Sequence, residues 1–303
     1  MPELPDILVY QAALRERVVG KMLKKIHLRS PFLVRTAQPD LFSLEQRTIR
    51  EVSRLGKRIV WHFDEEFYLL FHLMIAGRFH WKKAGTKPRG KIDLAAFEFE
   101  SGTLLLTEAS QKKRASLHVL VGQAALRQQD RGGIEPLDCS LETFQVTIRR
   151  ENRTLKRGLT SPQLFSGIGN AYSDEILHHA RLSPIMLTSR LSDEEIRRLY
   201  ESVRTVLRDW TEKLLTESRD QFPEKVTAFR QDMAVHGRFG KPCPDCGTLV
   251  QRIVHAENET NYCPRCQTGG KLLADRSLSR LLKNDWPRTV EEWENEQPDA
   301  KQS

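Results

Sequence analysis

The sequence predicts an α+β chain with several domains, because three different patterns follow one another along its 303 residues. Short β-rich segments separated by glycines occupy about the first 135 residues. Helical periodicity dominates from Leu141 to about Ser218, and two Cys-x-x-Cys pairs follow it. A chain of this length provides for about two domains, and a hydrophobic content of 39% can fill their cores.

The N-terminal region is predicted to be a β-sandwich with a flanking helix. Apolar residues from Ile7 to Val18 recur at near-helical intervals and indicate the helix. Four short β-rich segments, punctuated by glycines, are predicted to be strands: 58–63, 67–73, 94–99 and 103–107. Such short, closely spaced strands favour a sandwich, and residues 130–136 are interpreted as a linker.

The middle region contains one especially clear helix start at Ser192. Glu195 follows three residues later, and this spacing is typical of a capping box. The apolar stripe that continues to Leu214 is interpreted as core packing. Near the C-terminus, a short helix is expected at 272–282, and the acidic run 291–294 is interpreted as a solvated tail.

Four cysteines predict one structural zinc ion. Cys243 and Cys246 form one Cys-x-x-Cys knuckle, and Cys263 and Cys266 form a second one after sixteen intervening residues. Two knuckles complete a tetrahedron with no open position, whereas a redox site needs a single pair. Cys139 stands alone and is interpreted as a buried thiol. A zinc ribbon does not by itself identify a function.

The charge balance favours a polyanionic partner. The formal net charge is +8 and the isoelectric point is near 9.3, which suits nucleic acid or an anionic membrane surface as well as a merely basic soluble protein. No apolar run approaches the ~20 residues of a membrane span. No secretory signal is visible, and cysteine usage indicates a reducing compartment, so a cytoplasmic protein is expected.

The N-terminal residues Pro2 and Glu3 are candidates for covalent chemistry. Removal of Met1 would leave Pro2 with a free secondary amine, which can attack the anomeric carbon of a sugar and form an iminium. The Glu3 carboxylate could then supply the proton transfers. Because many ordinary N-termini also carry proline at position 2, an unremarkable tail is the alternative.

Two turns offer further candidate contacts. Lys57, at the tip of a predicted hairpin, could reach into an active site or could only solubilise the turn. Gly167 and Gly169 precede a helical stretch at 171–181, where backbone N–H groups could bind a phosphate beside Asn170, or could form a plain helical corner. Lys156 belongs to a basic run that suits DNA or a solvated face equally.

Taken together, these signals resemble the formamidopyrimidine-DNA glycosylase / endonuclease VIII family over about residues 1–268. The resemblance implies a β-sandwich catalytic domain (1–135), a helix–two-turn–helix domain (136–232), a zinc finger (233–268) and an extension (269–303). It also implies that damaged double-stranded DNA lies in the cleft between two halves, bound by a monomer associated with the nucleoid.

The same resemblance implies a mechanism and roles for particular residues. A damaged nucleotide is flipped out, Pro2 attacks C1′, and Glu3 moves protons, with Lys57 assisting near the phosphate. Lys156, Asn170 and the Gly167–Gly169 backbone grip the DNA backbone, and Ile75 occupies the position that fills the gap left by the flipped base. Strand cleavage by β- and then δ-elimination follows.

This sequence departs from the family pattern at several positions. Asp6 is one methylene shorter than the usual glutamate, and Asn258 stands where the finger commonly carries an arginine that points at the lesion phosphate. Ile75 replaces a methionine, and residues 107–116 replace a loop that usually carries arginine and phenylalanine. Some 35 residues follow the finger, where relatives usually stop.

The function hypothesis is therefore a bifunctional DNA glycosylase with AP-lyase activity in base excision repair. The second hypothesis is a protein that binds damaged or branched DNA without cutting it, which the changes at Asn258 and at residues 107–116 motivate. A third hypothesis is a structural zinc protein whose basic face meets RNA or acidic partners.

Overall fold

The computed structural model describes residues 1–224, 226–227, 230–255, 258–274 and 287–296. It divides into two compact units. Unit 1 comprises residues 1–133 and 208–228, and unit 2 comprises residues 134–207 and the chain from 229 onward. Within the described residues, no helix is long and apolar enough to cross a membrane.

Unit 1 is a sandwich of two antiparallel sheets with a helix against it, as predicted. Helix α1 (Leu4–Val18) packs on the second sheet, where Gln11 Nε2 and Arg15 Nε both donate to the Val52 carbonyl at 3.0 and 2.9 Å. The first sheet has the order β1-β6-β7-β5 and the second the order β2-β3-β4-β8. The strands are β1 (Lys25–Leu28), β2 (Ile49–Leu55), β3 (Arg58–Phe63), β4 (Phe67–His72), β5 (Gly77–Lys82), β6 (Asp93–Glu98), β7 (Thr103–Glu108) and β8 (Ser116–Val121).

The space between the two sheets is filled by aromatic side chains. Trp61 on β3 is fully buried and meets the rings of Phe71 and Phe97 at centroid distances of 4.7 and 5.4 Å, both edge-on. Such edge-to-face contacts are the favoured geometry for packed aromatic rings. This core fixes the strand register, and the register in turn decides which turns share one end of the sandwich.

Two connections cross between the sheets side by side. The β4–β5 turn leads from the second sheet to the first, and the β7–β8 loop leads back. Gly77, at the start of β5, pairs with Glu108 at the end of β7, while His72 at the end of β4 pairs with Ser116 at the start of β8. Both connections therefore lie at the same end of the sandwich.

The helices of unit 2 surround an apolar core. Ser192 and Glu195 form the predicted capping box, with N to O distances of 2.8 and 3.2 Å. In the predicted stripe on the helix that follows, Tyr200 and Trp210 are half-buried and the other residues are buried: Ile196, Leu199, Val203, Leu207 and Leu214. A short helix α2 (Gln123–Arg127) belongs to unit 1. The helices that follow are α3 (Leu141–Arg149), α4 (Leu155–Leu159), α5 (Asn170–His179) and α6 (Asp193–Glu217), the last of which continues into unit 1.

The C-terminal part of unit 2 contains a two-stranded hairpin of β9 (Gln251–His255) and β10 (Asn258–Tyr262), followed by α7 (Pro264–Thr268). The acidic run at 291–294, interpreted as a solvated tail, lies within helix α8 (Val290–Glu296), where Glu291 and Glu292 are exposed. Thr289 Oγ1 accepts from the Glu292 N–H at 3.2 Å and caps this helix. Of the helix expected at 272–282, residues 272–274 are not helical, and 275–282 lie outside the described residues.

Candidate functional site

The N-terminal residues are buried and fixed by the first turn of α1. Glu3 is 2% exposed and precedes the helix, and Pro2 is buried beside it. The Glu3 N–H donates to Asp6 Oδ2 at 2.9 Å, in the reciprocal arrangement of a capping box. The shorter Asp6 side chain therefore holds the backbone of Glu3 in place. In this position the predicted nucleophile and proton carrier belong to an ordered helix start.

Several charged side chains act on this N-terminus. The pKa of the Met1 amino group lies below its usual value, chiefly because burial disfavours the charged form. Glu3 and Asp6 oppose that shift, whereas Arg78 and Lys57 add to it. The structure thus brings Pro2, Glu3 and Lys57 into one neighbourhood, and it adds Arg78, which the sequence patterns did not indicate.

A cluster of cations lies beside Lys57. Lys57 belongs to the β2–β3 turn, which Gly56 allows by adopting a φ of +63°. Arg58 follows it, and its pKa is lowered by burial. At the end of β4, burial and the nearby Arg58 and Lys57 charges lower the pKa of His72 to about 4. His72 is therefore neutral at pH 7 in the protein without a bound anion.

Ile75 lies at the tip of the β4–β5 turn and is 52% exposed. The turn is tight: Met74 has a φ of +51°, and a Cβ on Gly77 would lie 2.3 Å from the Leu73 carbonyl oxygen. Arg78 donates to the carbonyls of Ile75 and Gly77 at 3.2 and 2.6 Å and closes the turn. An aliphatic side chain is thus presented to solvent on a rigid support.

The β7–β8 loop is organised by one buried carboxylate. Glu108 is 1% exposed, and it accepts hydrogen bonds from the backbone N–H groups of Arg114 and Ala115 at 2.9 and 3.0 Å. The hydroxyl of Ser110 donates to the same carboxylate at 2.9 Å. Residues 111–114 are exposed and carry three cationic side chains. The sequence patterns showed what this loop lacks but not what Glu108 does.

In unit 2, the glycine-rich turn forms the start of α5. Gly167 has a φ of +81°, and Gly169 is the residue before the helix. The Asn170 side-chain amide donates to the Glu259 carbonyl at 2.8 Å, so it ties α5 to the finger hairpin. Asn258, at the first position of β10, is exposed and adds no charge there.

Lys156 is only 9% exposed. Its Nζ donates to the Asn170 carbonyl at 2.6 Å and pairs with Asp174, whose other carboxylate oxygen lies 2.8 Å from His236 Nδ1. The predicted DNA cation is therefore part of a buried Lys–Asp–His network in this structure. Its assignment as a DNA contact stays a prediction.

Glu175 joins α5 to the segment that leads into the finger. Its carboxylate accepts from the backbone N–H groups of Ala234, Val235 and His236 at 2.7, 2.9 and 2.9 Å. Burial raises the pKa of Glu175, although these three hydrogen bonds oppose the rise. No sequence motif indicated this role, because the partners lie about 60 residues away.

The four predicted cysteines converge on one point. Cys243 Sγ lies 4.0 Å from Cys266 Sγ, Cys246 Sγ lies 3.4 Å from Cys263 Sγ, and all four sulfurs lie within 4.8 Å of one another. A tetrahedral zinc with sulfur ligands at ~2.3 Å requires sulfur separations of about 3.8 Å, so the donor set fits one structural zinc. His178 Nε2 lies 3.3 Å from Cys243 Sγ and supports the cluster from α5.

Comparison with known proteins gives a consistent result along the chain. Residues 1–114 match the formamidopyrimidine-DNA glycosylase N-terminal domain, residues 133–219 the formamidopyrimidine-DNA glycosylase H2TH domain, and residues 240–269 the zinc finger found in FPG and IleRS. The formamidopyrimidine-DNA glycosylase of Heliobacterium modesticaldum is 34% identical over 277 residues, which cover 88% of this chain and 100% of that protein.

The chain belongs to the formamidopyrimidine-DNA glycosylase family. The family member of Herpetosiphon aurantiacus is 33% identical over 278 residues and is likewise covered completely. Among solved structures, Lactococcus lactis Fpg with an abasic site containing DNA aligns with a TM-score of 0.78 and 27% identity, over 88% of this chain and 99% of that chain. MutM in complex with carbocyclic 8-oxo-G containing DNA gives 0.77 and 25%, over 88% and 100%.

Family membership confirms the predicted fold class, which includes the sandwich, the helix–two-turn–helix domain and the zinc finger. It also confirms that the four cysteines form a structural zinc site. The individual roles of Pro2, Glu3, Lys57, Asn170 and Ile75 stay predictions.

Proposed function

We propose that this protein is a bifunctional DNA glycosylase and AP lyase that removes damaged bases from double-stranded DNA through a covalent Pro2 intermediate. The observation that carries the proposal is the buried Pro2–Glu3 pair at the start of α1, with the Lys57 and Arg78 charges acting on the same N-terminus. Family membership and relatives solved with abasic-site and lesion DNA support DNA as the substrate.

The first step needs an uncharged amine. Once Met1 is removed, the Pro2 nitrogen becomes the terminal amine and takes up surroundings in which burial and two cations already lower the pKa of the Met1 amine. A neutral secondary amine then attacks C1′ of an extruded nucleotide, the C1′–N bond to the base breaks, and the base leaves with a proton. Glu3, the next residue along the chain, would transfer that proton.

The second step follows opening of the sugar ring: the Pro2 nitrogen loses its proton, the C1′–O4′ bond breaks as O4′ takes up a proton, and the nitrogen lone pair forms an iminium with C1′. The positive charge acidifies the C2′ protons, so loss of one of them expels the 3′ phosphate by breaking the C3′–O bond. Repetition on the 5′ side would release the second phosphate. Lys57 and Arg78 would stabilise the departing phosphate charges, because both are cations in the neighbourhood of the N-terminus.

Unit 2 would hold the DNA backbone. The N–H groups of the Gly167–Gly169 turn lie at the start of the ten-residue helix α5, where a phosphate is favoured. We propose that Asn170 and this turn grip a phosphate, and that Lys156 supports them through the Asn170 carbonyl. Since the reaction concerns one nucleotide, one protein copy is sufficient, and the boundaries 1–135, 136–232, 233–268 and 269–303 are kept as proposed domains.

Borohydride trapping tests the nucleophile. Wild-type protein whose N-terminus has been shown by mass spectrometry to lack Met1 should form a covalent adduct with DNA that carries an abasic site. Peptide mapping should place the adduct on Pro2, and Pro2→Gly should trap much less. Pro5→Gly, a second proline in the same buried turn, is the matched control and should still trap. Attachment at any lysine, or undiminished trapping by Pro2→Gly, contradicts the assignment.

A second candidate is a damage-binding protein that does not cut DNA. Asn258 favours it, because the finger hairpin presents an uncharged side chain at that position. Tight, salt-sensitive binding to abasic-site duplex with no strand scission between pH 5 and 9 would support this candidate over the glycosylase.

A further inference from the structure

The cationic loop, defined here as residues 109–114, carries three cationic side chains at the end of the sandwich that carries the N-terminus. It follows β7 directly, and the pairing of Gly77 with Glu108 sets it beside the β4–β5 turn that presents Ile75. Its exposed residues include Lys112, Lys113 and Arg114 and no carboxylate.

The loop has a backbone that is fixed by hydrogen bonds, and its cationic residues are exposed to solvent. The Glu108 carboxylate receives the N–H groups of Arg114 and Ala115 as well as the Ser110 hydroxyl, and Lys113 Nζ donates to the Glu108 carbonyl oxygen. A buried carboxylate with several N–H partners is a strong local anchor. The loop is therefore already ordered before DNA binds, so no binding free energy is lost in ordering it.

The surrounding charges have the same sign. Lys57 and Arg78 act on the N-terminus nearby, and Arg58 and Arg131 both act on His72 at the end of β4. The nearby carboxylates of Glu3, Asp6 and Glu108 are buried, whereas Asp130, which acts on Arg58, is exposed. The cations of this end outnumber Asp130, so the positive charge is only partly compensated, and a polyanion such as a phosphodiester backbone is the complementary ligand.

The side chains present at this end are poorly suited to reading bases. Ile75 has no hydrogen-bonding group, and lysine ammonium groups on flexible stems act as point charges. Discrimination between bases requires donors and acceptors in a fixed pattern at a base edge. Gln111 and Arg114 carry planar groups that can form two hydrogen bonds at once, and a phosphate can accept hydrogen bonds from both of them.

We propose that the cationic loop binds DNA phosphates and does not read the base opposite the lesion. The inference rests on the proposed function for the identity of the ligand, and it deepens it by defining the substrate class. The protein accepts a lesion opposite any of the four bases with similar affinity, and the loop supplies salt-dependent binding energy equally in each case.

The experiment measures Kd by fluorescence anisotropy for a duplex with a tetrahydrofuran abasic analogue opposite A, C, G or T, between 50 and 200 mM salt. The triple variant Lys112→Ala, Lys113→Ala, Arg114→Ala should reduce the slope of log K against log salt by roughly two to three. Its Kd at 100 mM salt should rise on the order of 10- to 100-fold, by the same factor for all four opposite bases.

The matched control is Lys21→Ala, Lys24→Ala, Lys25→Ala. These lysines are exposed and lie at or just before the start of β1, where Lys25 pairs with Glu98, at the opposite end of the first sheet from Glu108. This variant removes the same charge and should change the slope by less than about one. Arg114→Lys distinguishes phosphate binding from base recognition, because a phosphate contact tolerates lysine, whereas bidentate base recognition does not.

Two results would overturn the proposal: a slope for the loop variant equal to that of the control, or a loss concentrated on one opposite base. Thermal unfolding of each variant checks that folding is intact. Borohydride trapping by the wild type is a separate experiment. An absence of trapping would contradict the proposed lyase activity, while the salt dependence of DNA binding would still test the role of the loop.

Discussion

His72 shows how the fold sets the charge of a single residue. It ends β4, where it is half-buried beside Arg58 and Lys57, and its pKa falls to about 4. The unfolded chain would titrate near 6.5. Between these values the unfolded state binds more protons than the folded state, so stability is complete above pH 6.5 and declines as pH falls toward 4.

We predict that His72→Gln reduces the acid sensitivity of folding. Wild-type protein should lose stability from pH 7 to pH 4.5, and the variant should lose distinctly less, because one group that resists protonation has been removed. Chemical denaturation at the two pH values measures the difference. The variant should still lose some stability at low pH, because burial also lowers the pKa values of His62 and His118. Parallel stability curves for the two proteins would show that His72 does not contribute.

At the scale of elements, Glu175 holds α5 against the segment 234–236. Replacing one carboxylate oxygen by an amide NH₂ would set a donor against backbone donors, because both oxygens accept here: Oε2 from Ala234, and Oε1 from Val235 and His236. A buried donor without an acceptor costs about 1–3 kcal/mol.

Glu175→Gln should therefore lower the free energy of unfolding by about 1–3 kcal/mol and increase protease sensitivity near residue 234. Glu194→Gln is the matched control, since Glu194 is an exposed glutamate on α6, and its unfolding free energy should remain within about 0.5 kcal/mol of the wild type. Equal stabilities for the two variants would contradict the role of Glu175 in holding α5 against the segment 234–236. Denaturant unfolding monitored by far-UV circular dichroism provides the measurement.

Strongly patterned elements could be predicted from the sequence. The range 58–63 coincides with β3, the periodic residues from Ile7 to Val18 lie in α1, and the Ser192 box precedes α6. Strand β5 carries polar side chains at alternating positions and β10 carries them at most positions, so neither segment was predicted to be a strand. Strand β10 is stabilised by its hairpin partner and by the cysteines on either side, which are tertiary effects.

The candidate site could be predicted in part for a similar reason. Pro2, Glu3, Lys57 and the cysteines belong to short motifs that carry their own chemistry. Arg78 and Glu108 depend on a cross-strand register that links positions 31 residues apart, namely Gly77 and Glu108. The Lys156–Asp174–His236 network likewise joins three segments of unit 2. A local pattern cannot encode such long-range contacts.

At the scale of the whole molecule, the zinc site supports the parts of unit 2 that are proposed to meet DNA. The finger contributes the Glu259 carbonyl that holds the Asn170 amide, and α5 contributes His178 beside Cys243. Among the residues that the structure describes, the small cluster around the cysteines adds Val235 and Val250 as buried apolar partners. So little apolar burial cannot stabilise the hairpin alone, and metal binding must supply the difference.

Cys263→Ser should therefore lose zinc, melt at a lower temperature and bind abasic-analogue DNA more weakly. Structural zinc in small fingers contributes roughly 10–16 kcal/mol of apparent binding energy, so the loss of one thiolate leaves the hairpin unfolded. Cys139→Ser is the control, because Cys139 lies in unit 2 with its Sγ 3.8 Å from the Pro136 carbonyl and away from the cluster. Elemental analysis should give one zinc per chain for the wild type and for Cys139→Ser, and little for Cys263→Ser. Full zinc content in Cys263→Ser would contradict the role of Cys263 as a zinc ligand. Unchanged DNA binding after zinc is lost would mean that the finger does not position Asn170.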